Sequence, residues 1–300
     1  MTGSGTDDGA MVGVIGGSGL YAMDALEEAE ERRVQTPFGE ASGPFVVGRL
    51  GGRRVAFLAR HGTGHRIAPS ELNFRANIYG MKALGADAVV SISAVGSLRE
   101  HIEPGDLVVP DQFIDRTQGR VSSFFGHGIV AHVAFADPVC GPLAEVVAYA
   151  ADTAGARVHR GGTYVCMEGP QFSTRAESRM YRAWGADIVG MTNLQEAKLA
   201  REAEMCFVTA ALVTDYDCWR DADDVAVEKI LETLNANVSL AKRTIANAVG
   251  AVTTQRVCDC RCALDNAVIT ALEAIPDARR EELALLLERA RKTNEGSHGK

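Results

Sequence analysis

The sequence lacks any run of basic residues. Its 31 lysines and arginines are outnumbered by 39 aspartates and glutamates, giving a formal net charge of −8. That balance argues against nucleic acid or an anionic membrane surface as the main partner. An anionic ligand must then be met by positive charge gathered locally. No apolar run is long enough to span a bilayer; Cys206 to Val213 is typical, and it is strand-sized. The opening residues, Met1 to Ala10, have neither the cationic start nor the apolar stretch of a secretory signal. The expectation is a soluble, cytoplasmic protein. Its seven cysteines are odd in number and scattered, apart from Cys258, Cys260 and Cys262, which is not a secreted disulfide framework. Their spacing gives no four-ligand zinc pattern either, so no metal is expected.

What the chain does have is apolar content. Apolar residues make up 46% of 300 positions, enough for a large core, and the 23% charged residues are near the globular average. Strand and helix patterns alternate. Met11–Ile15, Arg53–Ala59, Ala88–Ser93, Gly162–Met167, Asp187–Met191 and Cys206–Thr214 read as strands. Pro69–Leu84, stopped by Gly85, reads as a helix, as do Leu143–Thr153, Thr174–Trp184, Leu194–Glu204 and Val225–Val249. Mostly uncharged strands imply a sheet covered on both faces. The expected fold is α/β, one domain with a central, mixed but largely parallel twisted sheet. Residues 1–10 form a flexible start, 11–250 the domain, 251–293 a helical extension packed on it, and 294–300 a flexible tail. The extension reads as two helices, Ala263–Ala274 and Pro276–Arg291.

In such sheets the chemistry gathers beyond the strand ends. Five ends deliver unusual residues: Ser18, Arg60-His61, Ser93-Ala94, Met191-Thr192 and Asp215 with Asp217. They converge only if their strands run parallel. Gly16-Gly17-Ser18-Gly19 suits an anion, because glycines admit close backbone approach and the hydroxyl adds a donor. The run also fits a relaxed dinucleotide fingerprint, but the next strand ends in Arg60-His61 rather than a ribose-binding acid, which makes NAD unsuitable. Arg60 supplies a planar fork suited to phosphate oxygens and His61 a further donor; the alternative is a solvated basic loop, against which stand the strand-end position and the glycines. Glu168-Gly169-Pro170-Gln171-Phe172 puts a carboxylate and a ring on one loop, suited to a sugar hydroxyl and a base, although Phe172 taken alone reads as core. Thr214-Asp215-Tyr216-Asp217-Cys218-Trp219 is the sharpest signal. Two acids at the end of a buried apolar strand are costly without a reason.

These blocks, together with Asp111 to Thr117, Ser173-Thr174-Arg175-Ala176-Glu177 and Trp184-Gly185-Ala186-Asp187, run in order from Met11 to Val249. So ordered, the chain resembles the trimeric purine nucleoside phosphorylase and methylthioadenosine phosphorylase family. The resemblance implies the nucleoside phosphorylase fold and a phosphate site made by Ser18, Arg60, His61, Ser93, Ala94 and Thr192. It implies Met191 beneath the ribose, and Phe172 with neighbouring Ser173 at the base. Asp215 and Asp217 would be the base-recognising, catalytic acids. Val227, Ile230 and Leu231 would line a methylthio pocket, to which a neighbouring subunit adds His132. A homotrimer or dimer of trimers follows, with inorganic phosphate as co-substrate and no cofactor or metal. Ser18 stands where relatives often carry Thr, and Gln195-Glu196 where they commonly have Pro-Glu. The segment Ser122–Gly128 looks shorter than in animal relatives.

The implied reaction is phosphorolysis of S-methyl-5'-thioadenosine in purine and methionine salvage. A sibling activity on inosine, guanosine or adenosine stays open, although that sibling usually carries Asn where Asp215 stands. A non-catalytic nucleotide-binding or redox-sensing protein would account for the glycines and the cysteine tail, but not for the Asp pair or Arg60-His61. Cys258-Asp259-Cys260-Arg261-Cys262 allows a mobile disulfide or thiol cluster, against reduced thiols tucked beside the last helices.

Overall fold

A computed structural model describes residues 11–17, 19–20, 23–220, 227–253 and 255–289. The strands are β1 Met11–Gly16, β2 Leu26–Arg32, β3 Phe45–Leu50, β4 Arg53–Ala59, β5 Ala86–Ser97, β6 Leu107–Val109, β7 Gln112–Arg116, β8 Val158–Arg160, β9 Thr163–Met167, β10 Ile188–Gly190 and β11 Cys206–Asp215. The helices are α1 Phe74–Ala83, α2 Gly141–Thr153, α3 Arg175–Ala183, α4 Leu194–Glu202, α5 Val227–Ala251 and α6 Asp277–Glu282. All eleven strands join one sheet, ordered β2-β3-β4-β1-β5-β10-β9-β7, with β11 also on β5 and β6 and β8 beyond it.

The period-two alternation of the central strands sorts the core into two layers. Val12, Val14, Ala88, Val90, Val208 and Leu212 face one way and pack with Leu143 and Val147 of α2 and Ile245 of α5. Met11, Ile15, Val89 and Phe207 face the other way, against Ile78 and Met81 of α1 and Ala197 and Leu199 of α4. A strand buried on both faces has no polar positions to alternate, which is why these strands read as continuous apolar runs.

β1 pairs parallel with β4 and β5, and β5 pairs parallel with β11. β10 departs from the parallel condition: it runs antiparallel to β5, with Ile188 opposite Ser97 and Val189 opposite Gly96. Convergence survives because β5 is twelve residues long. Its last residues overrun β1, whose pairing with it ends at Ser91, and β10 runs back along that side, bringing Met191 and Thr192 toward Ala94 and Ser93.

The structure departs from the sequence reading in an edge strand that was not anticipated and in an expected helix that does not form. β2 carries Leu-Glu-Glu-Ala-Glu-Glu-Arg and is almost wholly exposed; it is a charged edge strand, the kind that blocks edge-to-edge association and hides from apolar patterning. Ala263–Ala274 is not a helix. Its backbone pairs with another segment instead, through His132 N–H to Ala267 O at 2.8 Å, Ile269 N–H to Val130 O at 2.9 Å and an Ala131–Val268 bridge. Beyond it, Ile275, Leu283, Leu286 and Leu287 enter the same core layer as α1 and α4. The expected flexible ends lie outside the described residues.

Candidate active site

A cavity of about 560 Å³ opens beyond the ends of β1, β4, β5, β10 and β11, a size suited to a nucleoside-sized ligand. Gly17, Arg60, His61, Ser93, Ala94 and Thr192 contribute to its wall, as do Phe172, Met191, Asp215 and Asp217. Ser18 lies outside the described residues. Arg60 N–H donates to Gly16 O at 2.9 Å, which ties the ends of β4 and β1 together.

Arg60 is buried, at 3% exposure, and its fork is largely committed. Nε donates to Glu196 Oε1 at 2.5 Å and Nη2 to Glu196 Oε2 at 3.1 Å. Nη2 also donates to Ser91 Oγ at 2.6 Å, and Nη1 to Ile92 O at 2.9 Å. Of the five N–H groups of a guanidinium, one on Nη1 remains. The expected open phosphate fork is therefore corrected to a single donor on a buried ion pair. The network extends inward. Ser91 Oγ donates to Glu196 Oε2 at 2.6 Å, and Asn193 Nδ2 donates to Ser91 Oγ at 2.6 Å and Thr209 Oγ1 at 3.1 Å. Asn193 itself sits at φ 76, a left-handed conformation between Thr192 and α4. Such strain persists only where surrounding contacts hold it, and here two buried hydroxyls do.

His61 changes role as well. Its Nδ1 lies 2.8 Å from Ile67 O. A carbonyl only accepts, so Nδ1 carries the proton and the neutral ring leaves Nε2 as an acceptor. Burial, and then the neighbouring Arg60 charge, lower its pKa to about 4. The expected further donor is thus an acceptor, suited to a protonated phosphate oxygen. The ring stacks on His65 at 4.2 Å. Ser93 is buried against Tyr164, whose hydroxyl lies 3.4 Å from Ser93 Oγ. Burial raises the Tyr164 pKa well above its ordinary value, which keeps that hydroxyl protonated. Gly190 makes room for the ring: a Cβ there would stand 2.0 Å from Tyr164 Oη.

Two acids, Asp215 and Asp217, also line the cavity. Asp215 Oδ2 accepts from Thr214 Oγ1 at 2.7 Å, and Asp215 Oδ1 accepts from Asp217 N–H at 2.7 Å. Burial raises the pKa of Asp215, opposed by those two bonds and helped by the Asp217 charge. Burial likewise raises that of Asp217, opposed by Ser178 and Ser173. Asp217 Oδ2 is buried and has no hydrogen-bond partner among the described residues. A buried orphan acceptor is expensive, which makes this oxygen a candidate for a ligand's hydrogen bond. Gly96 admits the acids, since a Cβ there would meet Asp215 Oδ1 at 3.0 Å. Trp219 braces the loop by donating Nε1–H to Ser97 O at 2.8 Å, with Arg182 stacked 3.6 Å above its ring.

The Glu168 carboxylate, expected near a sugar, is already engaged. Arg120 Nε donates to it at 3.2 Å, and Gln118 N–H at 2.7 Å. Arg120 also donates to Met191 O at 2.6 Å, so it clasps the Phe172 loop to the end of β10. Phe172 is 46% exposed and lines the cavity; it is not core. Ser173 is buried behind Asp217 and off the cavity wall. His132 is exposed and away from this chain's cavity. Val227, Ile230 and Leu231 fall in the first turns of α5, and their side chains lie outside the described residues.

Sequence reasoning missed Glu196, Arg120 and Tyr164 as parts of the site. A signal existed for Glu196: it sits among Leu194, Ala197, Leu199 and Ala200 on the buried side of a helix, where an acid requires a cation. Among the described residues, four cysteines gather at the opposite end of β11 from the cavity. No described helix is long and apolar enough to cross a membrane.

Residues 11–250 match the family model of the phosphorylase superfamily. The chain is 58% identical over 279 residues to the S-methyl-5'-thioadenosine phosphorylase of Koribacter versatilis, covering 93% of this chain and 96% of that one. It is similar in structure to a methylthioadenosine phosphorylase from an antarctic soil metagenomic library, with a TM-score of 0.90, 48% identity and coverage of 93% and 99%. The methylthioadenosine phosphorylase of Schistosoma mansoni in complex with adenine matches with a TM-score of 0.81 at 35% identity, covering 87% and 99%.

Proposed function

The chain belongs to the phosphorylase superfamily, and from that premise we propose that it catalyses phosphorolysis of S-methyl-5'-thioadenosine to adenine and 5-methylthioribose 1-phosphate. One observation carries the reading: a single cavity is lined by Arg60, Ser93 and Thr192, which can donate to an anion, and by two buried acids of raised pKa, Asp215 and Asp217.

Phosphate sits against Gly17, the free N–H of Arg60, His61, Ser93, Ala94 and Thr192, with the Ser18 hydroxyl adding a donor. The ribose lies over Met191, and the purine beside Phe172, Asp215 and Asp217. A phosphate oxygen attacks the anomeric carbon as the bond to the purine breaks. Bound phosphate stabilises the oxocarbenium-like sugar, a contribution that is strong in a desolvated site. Holding both reactants supplies the proximity term. A proton from the acid pair reaches purine N7 and makes the base a viable leaving group.

The methylthio end is closed by Val227, Ile230 and Leu231 and by His132 of the partner subunit, in a homotrimer or a dimer of trimers. The exposure of His132 in one chain supports that assignment. The deciding experiment follows adenine release with and without phosphate. Release stops without phosphate and resumes with arsenate. Equal release in phosphate-free buffer means hydrolysis and overturns the mechanism, and a preference for inosine overturns the substrate.

A further inference from the structure

We propose that Cys140, Cys206, Cys258 and Cys260 form a structural zinc site that clamps the segment after α5 onto the sheet. The four sulfurs come from three distant parts of the chain and all lie within 4.8 Å of one another. Cys140 caps the start of α2, Cys206 opens β11, and Cys258 and Cys260 flank and enter the 3-10 turn Asp259–Cys262. Three of the four are buried. Cys206 Sγ and Cys258 Sγ are 3.5 Å apart.

Zinc–sulfur bonds of about 2.3 Å in a tetrahedron place neighbouring sulfurs about 3.8 Å apart. Small side-chain rotations take the four from their present spacing to that one. Four thiolates with no open position make a closed site of the structural type, and a soft sulfur set selects zinc over harder divalent ions. Binding displaces the thiol protons to solvent and involves no change of oxidation state.

The surroundings suit the charge that results. Zinc with four thiolates carries a net charge of about −2. Arg256 is buried beside the cluster, with Nε 3.4 Å from Cys206 Sγ and Nη2 2.9 Å from Asp87 Oδ2. Arg261 pairs with the same Asp87 oxygen. Two cations thus share one carboxylate at the rim of the cluster, leaving positive charge for an anionic centre. Such an outer shell is what orients and tunes metal ligands.

The place of the cluster explains its use. Cys206 begins β11 and Asp215 ends it, roughly 30 Å apart at 3.3 Å per residue. The site therefore acts on the fold rather than on the cavity. It ties the turn around residues 258–262 to the starts of β11 and α2, where the sequence after α5 turns back across the core.

The test is elemental analysis of the chain purified under phosphine reductant, then exchanged into chelator-free buffer. One equivalent of zinc per chain is expected, retained in C262S and lost in the double variant C258S/C260S. A second readout uses wild-type protein and does not depend on a variant folding. Zinc is removed with a thiol-specific mercurial and replaced by cobalt, which should give the sulfur-to-metal charge-transfer bands and intense visible bands of a tetrahedral four-thiolate centre. The proposal is overturned if reduced wild-type protein takes up neither zinc nor cobalt. It is also overturned if mass spectrometry of protein isolated without reductant shows these cysteines paired as disulfides and the reduced form still binds no metal.

Discussion

Arg60→Ala is the most informative single perturbation, because the buried pair it breaks joins the fold to the proposed phosphate site. Arg60 and Glu196 side chains are 4% and 0% exposed and meet at 2.5 Å. Removing one member of a buried pair leaves the other uncompensated, at about 3–5 kcal/mol. An unfolding entropy of about 2.1 cal/mol/K per residue, taken over this chain length, turns that loss into a fall of roughly 5–8 °C in Tm. The abandoned Glu196 carboxylate also stands beside the place where a phosphate dianion must bind. A charged hydrogen bond to phosphate contributes about 1.5–3 kcal/mol, so the phosphate KM should rise roughly ten- to a hundredfold. The nucleoside KM should change little. The two effects separate in the double variant Arg60→Met with Glu196→Met, since an apolar replacement of a buried pair is often neutral for stability. Calorimetry should find its Tm close to wild type, while steady-state kinetics should still find a raised phosphate KM. If Arg60→Ala melts with the wild-type Tm, the pair does not hold the site together. If the double variant keeps the wild-type phosphate KM, the remaining Nη1 donor does not touch phosphate.

Asp215→Asn tests purine selection. A protonated acid offers the donor and acceptor that match N7 and the 6-amino group of adenine, whereas an amide suits a 6-oxopurine better. kcat/KM for methylthioadenosine should fall by about a hundredfold or more while the relative rate on inosine improves; an unmoved ratio rejects Asp215 as the discriminator. His61 sets a pH dependence of stability. Burial and the Arg60 charge hold its pKa at about 4, below the ordinary 6.5, so the unfolded chain binds the proton first, and stability is lost as pH falls from 6.5 toward 4. Glu202, whose carboxyl is raised to about 7 by burial, has the opposite slope, so the comparison is between His61→Gln and wild type. The variant should lose less Tm between pH 7 and pH 5, and parallel curves would refute the assignment. Subunit sharing is tested by mixing His132→Ala chains with Asp215→Ala chains, where partial recovery of activity is expected. No recovery despite demonstrated subunit exchange returns His132 to a structural role.

The sequence by itself determined the central strands and most of the helices. β1, β4, β5 and β11 are buried on both faces, so their apolar runs are a direct consequence of the packing. It also marked the strand ends as candidates for a site, because two acids after an apolar strand and an Arg-His pair in an acidic protein are locally improbable without a ligand. What it could not carry are choices made by distant partners. Within the expected helix 263–274, the backbone of residues 267–269 is committed to residues 130–132, a pairing that no local propensity encodes. Arg60 looks like an open fork until Glu196, 136 positions away, occupies it. His61 looks like a donor toward a ligand until its Nδ1–H is committed to Ile67 O, and Glu168 looks like a sugar ligand until Arg120 claims it. Cysteines at positions 140, 206, 258 and 260 have no legible spacing, yet the fold sets their sulfurs together. Residue type and burial are written along the chain. Which donor meets which acceptor depends on which elements pack, and only the tertiary structure decided that.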